Sequence, residues 1–309
     1  MASNTQDLSN RTSHFQNSDL QASKLFDVSH VVAVVTGGGT GIGLMIAQAL
    51  QSNGAKVYIT GRRKEALDAV VKQYSTGPGS IHALPGDITK KEECIRLAEE
   101  VSSKEPKGVH LLVNNAGIAR DDNTKFSANG EPDYSSAEAI SQHLLKSETS
   151  AWAETFETNV TAQYFMSAAF IPLLGKGSEV TPGYTSSIVN ISSISGLMKG
   201  SSSGQFAYAS SKAAFIHLTR MLATTLAQSK IRVNQIAPGV FPSEMTTGES
   251  DAEQKSELSG GLSNPAKRGG SDADMAASIL FLAGPGGVFY NNQMLIPDGG
   301  NVLVQPAAI

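Results

Sequence analysis

Seven short runs of β-branched and aliphatic residues recur along the chain, at 31–35, 56–60, 80–84, 109–113, 186–191, 231–236 and 293–296. Most are apolar on consecutive positions and are bounded by glycine or polar turns, the mark of strands buried on both faces. Between them the apolar residues change period. Ile42, Ile46, Ala49 and Leu50 recur at the three- and four-residue spacing of a helix. Similar spacing predicts helices over 65–74, 89–102, 152–173, 272–283 and through Tyr208 to about residue 228. Strands that alternate with helices predict an α/β fold, a doubly wound parallel sheet of about seven strands with helices on both faces.

Polar stretches set the boundaries. Residues 1–24, rich in Ser, Asn, Gln, Thr and Asp, read as a flexible arm. A single domain spans 25–300, and 301–309 form a tail. Two segments depart from the pattern. Residues 119–150 are turn-rich and long for a connection in a compact domain. Residues 241–270 are rich in Ser, Gly and Glu, with a short helix expected at 252–258, and read as a lid over a substrate.

The first candidate chemistry lies between the first strand and first helix, in Thr36-Gly37-Gly38-Gly39-Thr40-Gly41-Ile42-Gly43. Free N–H groups and the positive dipole end of a helix attract phosphate, and glycine lets the backbone approach it. That context makes the fold Rossmann-like. The spacing is Gly-x-x-x-Gly-x-Gly, neither Gly-x-Gly-x-x-Gly nor a Walker loop. An NAD site is expected to carry an acid about 20 residues further on. Gly61-Arg62-Arg63-Lys64 stands there instead. Arginine suits a 2′-phosphate, so NADP(H) is inferred over NAD(H); the plainer reading is a solvated helix start. Asp87, at the end of the third run, could accept from an adenine amino group or cap the following helix.

Composition narrows the class. The 309 residues are 40% hydrophobic with a net charge of -4, enough for one large core and without the basic excess of a nucleic-acid or membrane-surface protein. The single cysteine, Cys94, sits in a helical stretch and excludes a disulfide framework or thiolate metal site. No apolar run approaches the roughly 18 residues of a membrane span. The N-terminus has neither a secretory pattern nor an Arg-rich, acid-poor one, so a cytoplasmic protein is expected.

Tyr208 and Lys212 stand at i and i+4, on one face of a helix. A phenol with a reference pKa of about 10 is a poor acid or base at neutral pH, and a nearby ammonium would lower it. Such a pair also occurs by chance in many helices. Here it follows Thr36-Gly37-x-x-x-Gly41-Ile42-Gly43, Asn114-Asn115-Ala116-Gly117, Asn159 and Ser193, and precedes Pro238-Gly239. In that order and over about residues 25–300, the chain resembles the short-chain dehydrogenase/reductases. Its greatest likeness is to the 3-oxoacyl-carrier-protein reductase type, including the rhamnolipid-pathway ketoreductases.

The resemblance implies roles. Tyr208 would exchange the proton of the alcohol or ketone oxygen, Lys212 would lower its pKa and hold the nicotinamide ribose, and Ser193 would hydrogen-bond the substrate oxygen. Asn159 would hold a water of a proton relay. Gly37, Gly41, Ile42 and Gly43 would lie at the pyrophosphate, and Thr40 and Arg62 near the 2′-phosphate. Asp87 and Ile88 would line the adenine pocket. Asn115, with Ala116 and Gly117, would position the adenine-side ribose. Pro238, Gly239 and Phe241 would contact the nicotinamide. It further implies an NADP(H)-dependent oxidoreductase of ketones and secondary alcohols, acting on a small-molecule carbonyl substrate as a homotetramer or homodimer.

Three departures bear on the substrate. The Ser193–Tyr208 interval is longer than is usual in the family, which leaves Ser192 and Ser193 both open. The 119–150 segment is an insertion. After Pro238-Gly239 the expected threonine is displaced, with Ser243 or Thr246 in its place. These loops keep two other readings in view: an enzyme adapted to imine reduction, epimerisation or cyclisation, and a non-catalytic NADP-binding module.

Overall fold

Alternate residues of the central strands point to opposite faces of the sheet, and both faces are buried. Along the first strand, Ala33 and Val35 enter one core while Val34 enters the other. Val57 and Ile59 likewise oppose Tyr58, and Leu111 and Val113 oppose Leu112. This is why the runs are continuously apolar rather than alternating. The computed structural model describes residues 16–258 and 262–305.

The strands are β1 (Val32–Thr36), β2 (Lys56–Gly61), β3 (Ser80–Pro85), β4 (Leu111–Asn114), β5 (Ser187–Ile191), β6 (Arg232–Ile236) and β7 (Met294–Leu295). They form one seven-stranded sheet in the order β3-β2-β1-β4-β5-β6-β7, with every pair parallel. The main helices are α1 (Gly41–Ser52), α2 (Lys64–Tyr74), α3 (Lys91–Lys104), α4 (Thr149–Phe156), α5 (Ala162–Val180), α6 (Phe206–Leu226) and α7 (Asp272–Ala283). Leu44, Ile46 and Leu50 of α1 share a core with Leu67 and Val70 of α2 and with Met275, Ile279 and Leu282 of α7. Leu97 and Val101 of α3, Phe170 and Leu174 of α5 and Leu222 and Leu226 of α6 fill the other face, with Cys94 among them.

The strand order reverses between β1 and β4. The glycine loop leaves β1 and the Asn115 loop leaves β4 at their carboxyl ends, so both line the crevice where this class of sheet binds ligands.

Several expectations need correction. The helix expected over 152–173 is two helices joined by a π-turn at Glu157–Thr161, and α5 runs on through Pro172 to Val180. Residues 252–258 are not helical; the short helix of that segment is Glu244–Thr247, set by reciprocal hydrogen bonds between Ser243 and Thr246. Of the expected arm, residues 1–15 lie outside the described residues, but Asn17–Leu20 and Ala22–Leu25 are short helices. Of the expected tail, Asn301–Val304 is a helical turn and 306–309 lie outside the described residues, as do 259–261 of the lid. The 119–150 segment contains short helices at Phe126–Asn129 and Ala137–Leu144.

Candidate active site

The carboxyl ends of β4, β5 and β6 bring the catalytic candidates together. β5 ends at Ile191, and its continuation turns sharply. Ser192 is spent on the sheet, its hydroxyl donating to the Ile236 carbonyl at 3.1 Å. Ser193 caps the next turn, its Oγ accepting from the Ser195 N–H at 3.1 Å, and its hydroxyl lies near enough to the Tyr208 phenol to pull its pKa down. The geometry therefore separates the two serines: Ser193 faces the tyrosine and Ser192 does not.

Tyr208 and Lys212 lie one turn apart on α6, and the Lys212 Nζ is 5.7 Å from the centre of the Tyr208 ring. Lys212 is 4% exposed, and its Nζ donates to the Ile191 carbonyl at 3.0 Å. Burial pulls the Lys212 ammonium down to about 8. Burial also raises the Tyr208 phenol, against a downward pull from the Ser193 hydroxyl. The expectation that the ammonium would leave the phenol below its ordinary value is thus not met. Desolvation disfavours phenolate and ammonium alike, and here it is the larger effect on both groups.

Asn159 sits on the π-turn between α4 and α5, fully buried. Its Oδ1 accepts from the Ile118 N–H at 2.8 Å, and its Nδ2 donates to the Ile118 carbonyl at 2.8 Å and to Ser211 Oγ at 3.0 Å. It pins the loop that leaves β4. Gly117 lets these groups converge: a Cβ there would lie 3.2 Å from Asn159 Oδ1 and 3.4 Å from Lys212 Nζ.

The expected cofactor residues form a second cluster. Thr40 stands at the N-cap of α1 without making a side-chain cap, and no acid occupies the first turn. That leaves amide donors and positive dipole for an anion. Gly41 has φ +52, and a Cβ on it would lie 2.9 Å from Ser243 Cβ. The glycine loop and the 241–270 segment therefore meet at this point. At Gly43 close packing also requires glycine: a Cβ there would fall 2.6 Å from Asn115 Nδ2 and closer still to the Gly37 carbonyl. Ile42 is half-buried beside them. The uncapped helix, an acid-free first turn and an exposed Arg62 fit a dinucleotide phosphate.

Other expected contacts are rearranged. The Asn115 amide is committed to the Thr36 and Gly37 carbonyls, at 2.9 and 3.2 Å, so it ties the two loops together. Ala116 accepts Gln163 Nε2 at 2.6 Å through its carbonyl. Asp87 accepts from the Thr89 N–H and hydroxyl at 3.1 and 2.9 Å, the turn-capping alternative. Ile88 is 7% exposed and belongs to the core. Pro238 is buried, its carbonyl holding the Ile194 amide at 3.1 Å, and Gly239 lets the chain pass Asp298. The Phe241 ring is a core side chain, 2% exposed and packed beneath Gly270, so it does not face the crevice; its carbonyl holds Thr246 Oγ1 at 2.9 Å.

Two residues were missed by sequence reasoning. Glu244 grips Arg63 through both oxygens, at 3.0 and 2.8 Å, fastening the 241–270 segment to the chain just past β2. Asp121, in the polar insertion, caps α6 directly. Neither leaves a local signal beyond its charge.

The family model described as short chain dehydrogenase matches residues 31–254. A protein of Diaporthe leptostromiformis named short-chain dehydrogenase/reductase PhomF′ is 41% identical over 291 residues, 94% of this chain and 97% of its own length. The rhamnolipids biosynthesis 3-oxoacyl-acyl-carrier-protein reductase of Pseudomonas aeruginosa is 33% identical over 277 residues, 89% of this chain and 97% of its own. The structure described as the Pseudomonas aeruginosa RhlG/NADP active-site complex superposes with a TM-score of 0.72 at 30% identity, covering 89% of this chain and 98% of that one.

Proposed function

The chain belongs to the short-chain dehydrogenase/reductase family of oxidoreductases, and we propose that it is an NADP(H)-dependent ketoreductase acting on a β-ketoacyl or related biosynthetic intermediate. The convergence of Ser193, Tyr208 and Lys212 around the ends of β4 and β5 carries the reading. The bound cofactor supplies or accepts the hydride.

Reduction builds negative charge on the carbonyl oxygen, and donors aimed at that oxygen stabilise it. The Ser193 hydroxyl and the Tyr208 phenol are those donors. A phenol held above its ordinary pKa keeps its proton at neutral pH, so Tyr208 is in the form that gives a proton to the developing alkoxide. Lys212, pulled to about 8, is still mainly an ammonium at neutral pH and offsets the charge left on the tyrosine. Asn159 holds the Ile118 backbone that closes this corner.

NADP(H) over NAD(H) rests on Arg62, which makes no ion pair among the described residues. The β-ketoacyl class is supported by the reductase of Pseudomonas aeruginosa named above. A homodimer or homotetramer paired through α5 and α6 agrees with the exposed Tyr164 and Met221 on those helices. Among the described residues no helix is long and apolar enough to cross a membrane, and we place the protein in the cytoplasm.

The test is NADPH consumption with a panel of β-ketoacyl thioesters, polyketide ketones and simple diketones. Turnover is expected on at least one, and Tyr208→Phe should lose most of it while binding NADPH as before. Folded, NADPH-binding protein that reduces none of the panel would count against the reading, and undiminished activity in Tyr208→Phe would remove the tyrosine from it.

A further inference from the structure

Gln205 stands at the N-cap of α6, yet its side chain makes no capping hydrogen bond. A residue far away in sequence takes that place. Asp121 Oδ1 accepts from the Ala207 N–H at 2.8 Å, and Oδ2 accepts from the Tyr208 N–H at 3.0 Å. Asp121 is 4% exposed. A buried carboxylate on the second and third amides of a helix is both a cap and a countercharge to the helix dipole.

The same segment holds the loop in front of α6. The Phe126 N–H donates to the Ser203 carbonyl at 2.9 Å, and the Thr124 hydroxyl donates to the Gly204 carbonyl at 2.7 Å. His143 Nε2 pairs with the Thr124 carbonyl at 3.0 Å. Ser202 and Ser203 are both left-handed, with φ 54 and 58. Such conformations persist where the surroundings over-determine them. The insertion supplies those surroundings.

We propose that Asp121 is a positioning residue for Tyr208: it fixes the first turn of α6, and its charge sets how readily the phenol ionises. The proposal rests on the reading of Tyr208 as proton donor. Lys212 is the cation that faces the phenol, from the same helix. Around Asp121 stand Asp122, Lys125 and His143, with Arg120 tied to Glu154 at 3.2 Å. The positive end of α6 favours phenolate and Asp121 opposes it. Removing the carboxylate charge therefore lets Tyr208 ionise at lower pH.

The experiment labels the full chain with ¹³Cζ-tyrosine and identifies the Tyr208 resonance by its loss in Tyr208→Phe. Tyr208 is then titrated in the parent protein, Asp121→Asn and Asp121→Ser. We expect its midpoint to fall by about one pH unit in both variants. On a ketone that the parent protein reduces, kcat should fall about ten- to a hundredfold while NADPH affinity holds, as for a slightly misplaced reacting group. An unmoved Tyr208 midpoint in the folded variants overturns the proposal. Loss of the fold in both variants assigns Asp121 to stability alone and also overturns it. The titration needs no turnover, so a parent protein that reduces no ketone refutes the ketoreductase reading while the proton-site role of Asp121 is still decided.

Discussion

Arg62 and Arg63 are adjacent and carry the same charge, yet the fold uses them differently. Arg63 holds both oxygens of Glu244, in a pair where the side chains are 60% and 29% exposed. Arg62 is exposed just past the end of β2, where the Thr60 carbonyl accepts the Gly37 amide at 2.8 Å. It therefore lies close to the glycine loop and without an ion-pair partner among the described residues. A hydrogen-bonded charge pair between a guanidinium and a 2′-phosphate is worth about 1.5–3 kcal/mol, and exposure places this one toward the low end. Arg62→Ala should then raise the Kd for NADPH roughly tenfold or more, and leave NADH within about twofold. Arg63→Ala removes an exposed ion pair worth about 0–1 kcal/mol and should affect both cofactors alike. Fluorescence titration of each variant with both cofactors measures this. Repeating it at high salt should narrow the gap for NADPH, because the contact is at the surface. Equal weakening of NADPH and NADH by Arg62→Ala would refute the assignment, and so would a larger NADPH-specific effect from Arg63→Ala.

Two further outcomes concern stability. Burial pulls His110 from its ordinary 6.5 down to about 4, its Nδ1 accepting from the Val32 amide at 3.1 Å. The fold needs the neutral ring, so its contribution is fully present above about pH 6.5 and is lost as pH falls toward 4; at pH 5 the loss is about 2 kcal/mol. Asp274, held low by Arg268 and Ser271, acts in the same direction but below its ordinary 3.8. Burial also lowers His30 and His82, which act in the same direction, so urea unfolding at pH 7.5 and pH 5 reads at least this loss, and identical midpoints would contradict it. Gly43→Ala should destabilise by about 2–3 kcal/mol, because a Cβ collides with Asn115 Nδ2 and the Gly37 carbonyl. Gly175→Ala, in α5 with nothing within 4 Å of its Cβ, should instead stabilise by about 0.5–1 kcal/mol. Melting temperatures that move the same way in both would refute the packing account.

Much of the scaffold was legible along the chain. The apolar runs announced strands buried on both faces because each strand sends alternate residues into two cores. The glycine loop, the Asn-Asn-Ala-Gly turn and the Tyr208–Lys212 spacing were readable for the same reason: each is a local pattern with a local geometry. Elsewhere local pattern misled. Polar residues near 252–258 suggested a helix, while the helical turn formed where Ser243 and Thr246 cap each other.

The sequence by itself determined the succession of strands and helices along the chain, the glycine loop between β1 and α1, and the pairing of Tyr208 with Lys212 on one helical face. Tertiary structure alone decided which serine meets Tyr208, that burial outweighs the pull of Ser193 on the phenol's ionisation, and that the Phe241 ring belongs to the core. It also joined Arg63 to Glu244 and Asp121 to the amides of Ala207 and Tyr208. The physical reason is separation: these partners stand 181, 86 and 87 positions apart, and no period along the chain encodes a contact that arises only when the sheet closes and excludes water.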